Sequence, residues 1–127
     1  MITRREIATT HQRIAPHIRV TPVIELRLKG TALPVCLKLE CLQHTGSFKA
    51  RGAFASLTGR KIPAAGVAAA SGGNHGAAVA YAAHELGIEA TIFVPATSPE
   101  AKVSRIRAYG AKVVQEGASY QDAAHAC

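Results

Sequence analysis

A chain of 127 residues with 48% apolar content can bury one core of ordinary size, and nothing in it forces disorder. The net charge of +7 comes from 15 Lys and Arg spread from Arg4 to Lys112, without a dense basic run or interleaved aromatics. That spread argues against nucleic acid as a partner and suits small anionic ligands.

Cys36, Cys41 and Cys127 are odd in number and lack the paired spacing of a zinc site, so no metal is expected. No apolar run approaches membrane-spanning length and no signal peptide is evident. These features predict reduced thiols, a cytoplasmic setting and no membrane partner.

Taken in order, Thr3 to Ile18 reads as an amphipathic helix, with Ile7, Ile14 and Ile18 among polar residues and an end near Pro16. A Thr-Pro turn follows at Val20 to Val23. Val35, Leu37 and Leu39 then alternate with Cys36, Lys38 and Glu40, the pattern of a half-buried strand. This strand leads into TGSFKARGA, Thr45 to Ala53, a Gly-Ser turn that opens a helix.

At about 100° per residue, Ala50, Ala53, Phe54 and Leu57 share one helical stripe. Phe48 falls on the opposite side, and Lys49 lies at the border between packed and open surface. A lysine amine is a nucleophile only without its proton, which a poorly hydrated pocket favours, so Lys49 is a candidate nucleophile. The plainer alternative is a solvated lysine beside Arg51. A flat ring lying between Phe48 and Lys49 would account for both placements. Arg51 has two candidate partners, a phosphate or a carboxylate such as Glu40, and the carboxylate is the expected one.

From Gly66 the texture alternates. Val67 to Ala70 reads as a strand, Ala77 to Leu86 as an alanine-rich helix closed by Gly87, and Ala90 to Val94 as a second strand. Ser98 and Pro99 read as N-cap and first helical residue, with Glu100 in the first turn and a stop at Gly110. Ala111 to Gln115 is a third strand, and a last helix starts near Ser119. Three strand-helix units in succession predict a parallel sheet covered by helices.

The first of these units carries SGGNHG, Ser71 to Gly76, between strand and helix. Glycines there let backbone N–H groups face a ligand, and a helix N-terminus favours negative charge, so the loop is a candidate anion seat. It is neither a Rossmann nor a Walker loop; a turn with an incidental Asn-His is the alternative. His11, His17, His44, His84 and His125 show no metal spacing.

The run LKLECLQHTGSFKARGA, Leu37 to Ala53, resembles the lysine signature of the threonine/serine dehydratases, pyridoxal-phosphate (PLP) enzymes of the tryptophan synthase β-like fold, fold type II. The resemblance includes Lys49, Ser47, the Arg51-Gly52 pair, Glu40 and Gln43. Cysteine-forming relatives carry Asn-Pro and a following aspartate where this chain has Gln43-His44 and Ala50. SGGNHG resembles the same family's second fingerprint.

The resemblance implies an α/β fold, an open parallel sheet with helices on both faces. It makes Lys49 the Schiff-base lysine and general base, with Phe48 and Asn74 on the cofactor and Ser71, Gly72, Gly73 and His75 around the substrate carboxylate. The implied reaction is β-elimination of L-threonine or L-serine to a 2-oxo acid and ammonia, by a homo-oligomer of amino-acid metabolism, isoleucine biosynthesis included.

A serine racemase or another fold-type-II enzyme is an alternative, weakened because the position of Gly72 is typically a serine in racemases. A non-catalytic anion- or PLP-binding module is another. Residues 1–53 would belong to the large PLP domain and 54–127 to a small α/β domain. Because Ala126-Cys127 ends inside a helical pattern, the chain is read as the N-terminal part of a longer enzyme. The phosphate-gripping loop and the partner of the pyridine nitrogen, which come later in such enzymes, are then missing, and the chain alone is expected to be inactive.

Overall fold

A computed structural model describes residues 1–30 and 32–127. Helix α1 (Arg4–Ile14) opens on a capping box: the Thr3 hydroxyl accepts from the Glu6 amide at 3.2 Å, and the Glu6 carboxylate accepts from the Thr3 amide at 2.8 Å. Pro16 ends the α-helical ladder, and one 3-10 turn, Ala15–His17, follows. On its inner side α1 buries Ile14, and Arg13 reaches across to the Thr58 hydroxyl and the Ala55 carbonyl.

Strands β1 (Val23–Leu26) and β2 (Val35–Lys38) pair antiparallel, Val23 opposite Lys38 and Leu26 opposite Val35. The expected Thr-Pro turn is thus the lead-in to a strand, and β2 is not half-buried. Val35 alone is partly covered, while Cys36, Leu37 and Lys38 are exposed. Alternation reports that a strand forms; it does not report whether another layer lies on its apolar face.

Helix α2 (Lys49–Thr58) buries the predicted stripe of Ala50, Ala53, Phe54 and Leu57. Against it packs α3 (Asn74–Glu85), whose Ala77, Ala78, Ala80, Ala82 and Ala83 are buried. Short side chains let the two backbones approach closely. The expected boundary after Ala53 falls inside α2, and Ala53, Phe54 and Leu57 share one core with α3 and the sheet.

Strands β3 (Val67–Ala70), β4 (Ala90–Val94) and β5 (Lys112–Gln115) form a parallel sheet in the order β3-β4-β5, with Val67 opposite Ala90 and Thr91 opposite Lys112. Helix α3 packs on β3 and β4, α4 (Glu100–Ala108) on β5 and α3, and α5 (Tyr120–Ala126) on β3 and β4. In the central strand, Ala90, Ile92 and Val94 are buried on one face, while Thr91 and Phe93 are half-covered on the other. This is the open parallel sheet with helices that the strand-helix alternation predicts.

Two boundaries differ from expectation. Helix α3 begins at Asn74, three residues early, with Gly73 as its N-cap. Helix α4 begins at Glu100 with Pro99 as N-cap, because Pro99 is extended (φ −56°, ψ 132°) and the Ser98 amide is used in a turn to the Pro95 carbonyl at 2.9 Å. Ser119 does cap α5, accepting from the Asp122 amide at 3.2 Å.

Gly76 shows why the loop before α3 is glycine-rich. A Cβ on it would sit 2.0 Å from the Ser71 carbonyl oxygen and 3.1 Å from Ile92, so the first turn of α3 lies directly on the end of β3. Gly76→Ala is expected to lower unfolding stability by about 1–3 kcal/mol, the usual cost of overpacking, measured as a shifted urea midpoint at unchanged slope.

Candidate active site

Lys49 is the first residue of α2, and the chain before it is held by polar contacts rather than by regular structure. Two 3-10 turns, Glu40–Leu42 and His44–Gly46, separate it from β2. Gln43 lies between them with only 2% of its surface exposed. Its side-chain oxygen accepts from the amides of Arg19 (2.9 Å) and His44 (3.1 Å), and its nitrogen donates to the Arg19 carbonyl at 2.9 Å. A buried amide so fully paired fixes the path of the backbone.

The Glu40–Arg51 pair expected from sequence is present and bidentate: Nε and Nη2 of Arg51 donate to the two carboxylate oxygens, each at 2.7 Å. The Thr21 hydroxyl donates to the same carboxylate, and Lys38 Nζ lies 3.5 Å from it while donating to the Thr21 carbonyl at 2.8 Å. Thus Thr21 and Lys38, which sequence reasoning did not single out, tie the hairpin to α2. The Arg51 guanidinium, with smaller help from Thr21 and Lys38, holds the Glu40 carboxyl down at about 2 against its ordinary 4.5.

Lys49 and Phe48 are exposed side by side, so the described residues do not form the poorly hydrated pocket expected around the lysine amine. The amine lies 5.2 Å from the centre of the Phe48 ring, which is 58% exposed. The Lys49 amide donates to the Ser47 hydroxyl at 3.4 Å. Phe48 therefore stands off the core stripe, as the helical geometry predicts.

The second motif surrounds the N-terminus of α3. The Ser71 amide completes the ladder to Phe93 at 3.0 Å, and the Gly73 amide donates to the Ser71 hydroxyl at 3.3 Å. Gly73 has no side chain to cap the helix, so the amides of its first turn have no intrahelical carbonyl and point outward. Gly72, Gly73 and Asn74 line a cavity of about 230 Å³ together with Ala77, Lys102 and Arg105. Phe48, Lys49, Ser71 and His75 are not in its walls.

Sequence reasoning missed Lys102 and Arg105. Their spacing of three on α4, flanking the buried Val103 and Ile106, places them on one helix face, but only the packing of α4 on α3 brings that face to the glycine loop.

Helix α3 also meets the lysine segment. Tyr81 O–H and His44 Nδ1 lie 3.0 Å apart with their rings stacked at 4.9 Å, and Phe54 meets Tyr81 edge-on at 6.0 Å. Burial lowers the pKa of His44 and raises that of Tyr81. The three cysteines are free and exposed, and among the described residues no helix is long and apolar enough to cross a membrane.

A lysine thus heads α2, uncapped amides head α3, and the two helices pack together, α3 lying on the parallel sheet. The chain belongs to the pyridoxal-phosphate-dependent enzyme family, which it matches over residues 14–127. The catabolic L-threonine dehydratase TdcB of Staphylococcus aureus (strain USA300) is 40% identical over 128 residues, covering 96% of this chain and 37% of its own length.

Among solved structures, a pyridoxal 5'-phosphate-dependent aspartate racemase superposes with a TM-score of 0.89 at 36% identity, covering 99% of this chain and 41% of that one. A T.th. threonine deaminase superposes at 0.85 with 38% identity over 98% of this chain and 40% of its own. The serine racemase of Dictyostelium discoideum superposes at 0.87 with 33% identity over 98% of this chain and 42% of its own. The fold is that of the fold-type-II enzymes, and the chain spans well under half the length of these relatives.

A carboxylate held below its free pKa stabilises the fold at neutral pH, and that stability is lost as pH falls from about 4.5 toward about 2. Glu40→Gln is expected to cost about 1–2 kcal/mol at pH 7 and to flatten the loss of stability across that acid window, read by urea unfolding at a series of pH values.

Proposed function

We propose that this chain carries the lysine-bearing part of an enzyme that eliminates water from a hydroxy amino acid, L-threonine or L-serine, to give a 2-oxo acid and ammonia. The observation that supports it best is the exposed Lys49 amine beside the Phe48 ring, at the head of a helix packed on the one that bears the uncapped glycine loop. The threonine dehydratase relatives favour this chemistry, and their description as catabolic favours degradation over isoleucine biosynthesis.

The donor set fits PLP. Lys49 offers a primary amine, Phe48 an exposed aromatic face, Asn74 an exposed carboxamide, and Gly73 a helix start without a side-chain cap. PLP, when bound, supplies an aldehyde for the amine and a conjugated ring that takes up electrons from the substrate's α-carbon.

In this reading Lys49 Nζ would remove the α-proton, the Cβ–O bond would break, and the proton carried by Lys49 would leave with the hydroxide as water. The released enamine hydrolyses to the 2-oxo acid and ammonia. Ser71, Gly72, Gly73 and His75 would line the seat of the substrate's carboxylate at the positive end of α3, with the first-turn amides of that helix as donors rather than the Ser71 amide, which is spent on Phe93. Asn74 would meet the phenolic oxygen of the cofactor.

Racemase neighbours make inversion at the α-carbon the competing chemistry. Gly72 favours the lyase, since it offers no side-chain acid to the opposite face, and a Cβ there would already lie 3.0 Å from the Ser98 hydroxyl. Reduced thiols in a cytoplasmic, homo-oligomeric enzyme complete the proposal.

Incubation with PLP followed by borohydride is expected to label Lys49, located by peptide mass, and Lys49→Ala to remove the label. A label that persists at another site in that variant would count against the reading and favour a non-catalytic binding module. The 127-residue chain by itself is expected to release no ammonia from threonine; release at rates typical of intact dehydratases would overturn the view that further sequence completes the site. In the whole enzyme, 2-oxobutanoate formed from L-threonine distinguishes elimination from racemisation.

A further inference from the structure

We propose that Arg105 is a positioning residue for Lys49, holding the strained turn from which the lysine helix starts. The proposal rests on Lys49 being the reactive amine.

Thr45 is the single non-glycine residue at positive φ among the described residues (φ 59°, ψ 13°). A β-branched side chain is a genuine outlier in the left-handed region, so something outside the turn must hold it. Its own side chain does not: the Thr45 hydroxyl is buried without a hydrogen-bond partner. The carbonyl does the holding, because it accepts from the guanidinium of Arg105, sixty residues along the chain.

The guanidinium also lies along the next residue, Nη2 being 3.5 Å from where a Cβ of Gly46 would stand. Gly46 (φ 68°) donates its amide back to the Gln43 carbonyl at 2.9 Å, which closes the turn. Extended, buried Ser47 follows, and its hydroxyl accepts from the Lys49 amide. A change in the turn thus reaches the amine through two residues.

Arg105 faces the second motif as well, since it lines the cavity that Gly72, Gly73 and Asn74 enclose. Helix α4 is anchored beneath it by buried Val103 and Ile106. One side chain on a fixed helix therefore touches both motifs and sets how the lysine turn sits against the amide loop. Its neighbour Arg107 shows the contrast, pairing on the surface with Glu100 at 3.1 Å and Gln115 at 3.0 Å. Among the described residues Arg105 forms no ion pair, and its guanidinium hydrogen-bonds to the turn.

The test compares Arg105→Ala and Arg105→Lys, each also in a Thr45→Gly background, by hydrogen exchange of the Gly46 amide and by the rate of PLP-borohydride labelling at Lys49. Arg105→Ala is expected to speed Gly46 exchange by about tenfold and to slow Lys49 labelling severalfold, while amides in the middle of α2 keep their protection. Arg105→Lys should restore part of both. Glycine at 45 removes the strain, so the effect of Arg105→Ala should shrink in that background.

Unchanged Gly46 exchange in Arg105→Ala, or an equal effect with threonine and with glycine at 45, would overturn the proposal. If PLP fails to label Lys49 in the unaltered chain, the enzymatic reading falls instead, and the exchange comparison still decides whether Arg105 holds the turn.

Discussion

The close approach of α3 to its surroundings is the constraint on which the other features depend. Alanines along one side bring α2 against it, and Gly76 brings its first turn onto the end of β3 with no room for a Cβ. A larger residue in this seam would lift α3 and with it the amide loop. The scarcity of aromatics and the abundance of alanine express that packing: dense interiors tolerate little volume change, and thin helices let backbone rather than side chains define the site.

Around this apolar seam the lysine is placed by polar groups. Glu40 receives Arg51, Thr21 and Lys38, so a single carboxylate joins the hairpin, the segment after α1, and α2. Gln43 fixes the backbone between them through three hydrogen bonds. Directional bonds specify position more sharply than apolar contact does, and here they set where the lysine helix starts. Lys49 itself stays exposed at the helix start.

The hairpin β1–β2 contrasts with the sheet β3-β4-β5. The parallel sheet has helices packed on it and buries alternate residues of β4, whereas Val23, Ile24, Leu26 and Leu37 of the hairpin remain exposed. Relatives in the family are more than twice as long as this chain, and the portion matched here includes both the lysine segment and the glycine loop.

What local pattern controls was legible in the sequence. The stripe Ala50, Ala53, Phe54 and Leu57 follows from helical rotation, the three parallel strands from their short apolar runs, and the Glu40–Arg51 pair from charge within one motif. These depend on neighbours a few residues apart, and their periodicity is written in the order of side chains. Lys49 and the loop Ser71 to Gly76 were set side by side only by their resemblance to two fingerprints of one family; the structure places them at the heads of α2 and α3, which pack together.

Tertiary packing alone decided the rest. It made Gly73 the helix cap, left β2 uncovered, set Thr45 in a left-handed turn, and carried Arg105 across sixty residues to that turn while Lys102 joined the cavity. Each of these depends on how one element lies over another, and a contact between distant residues leaves no periodic trace in the chain that makes it.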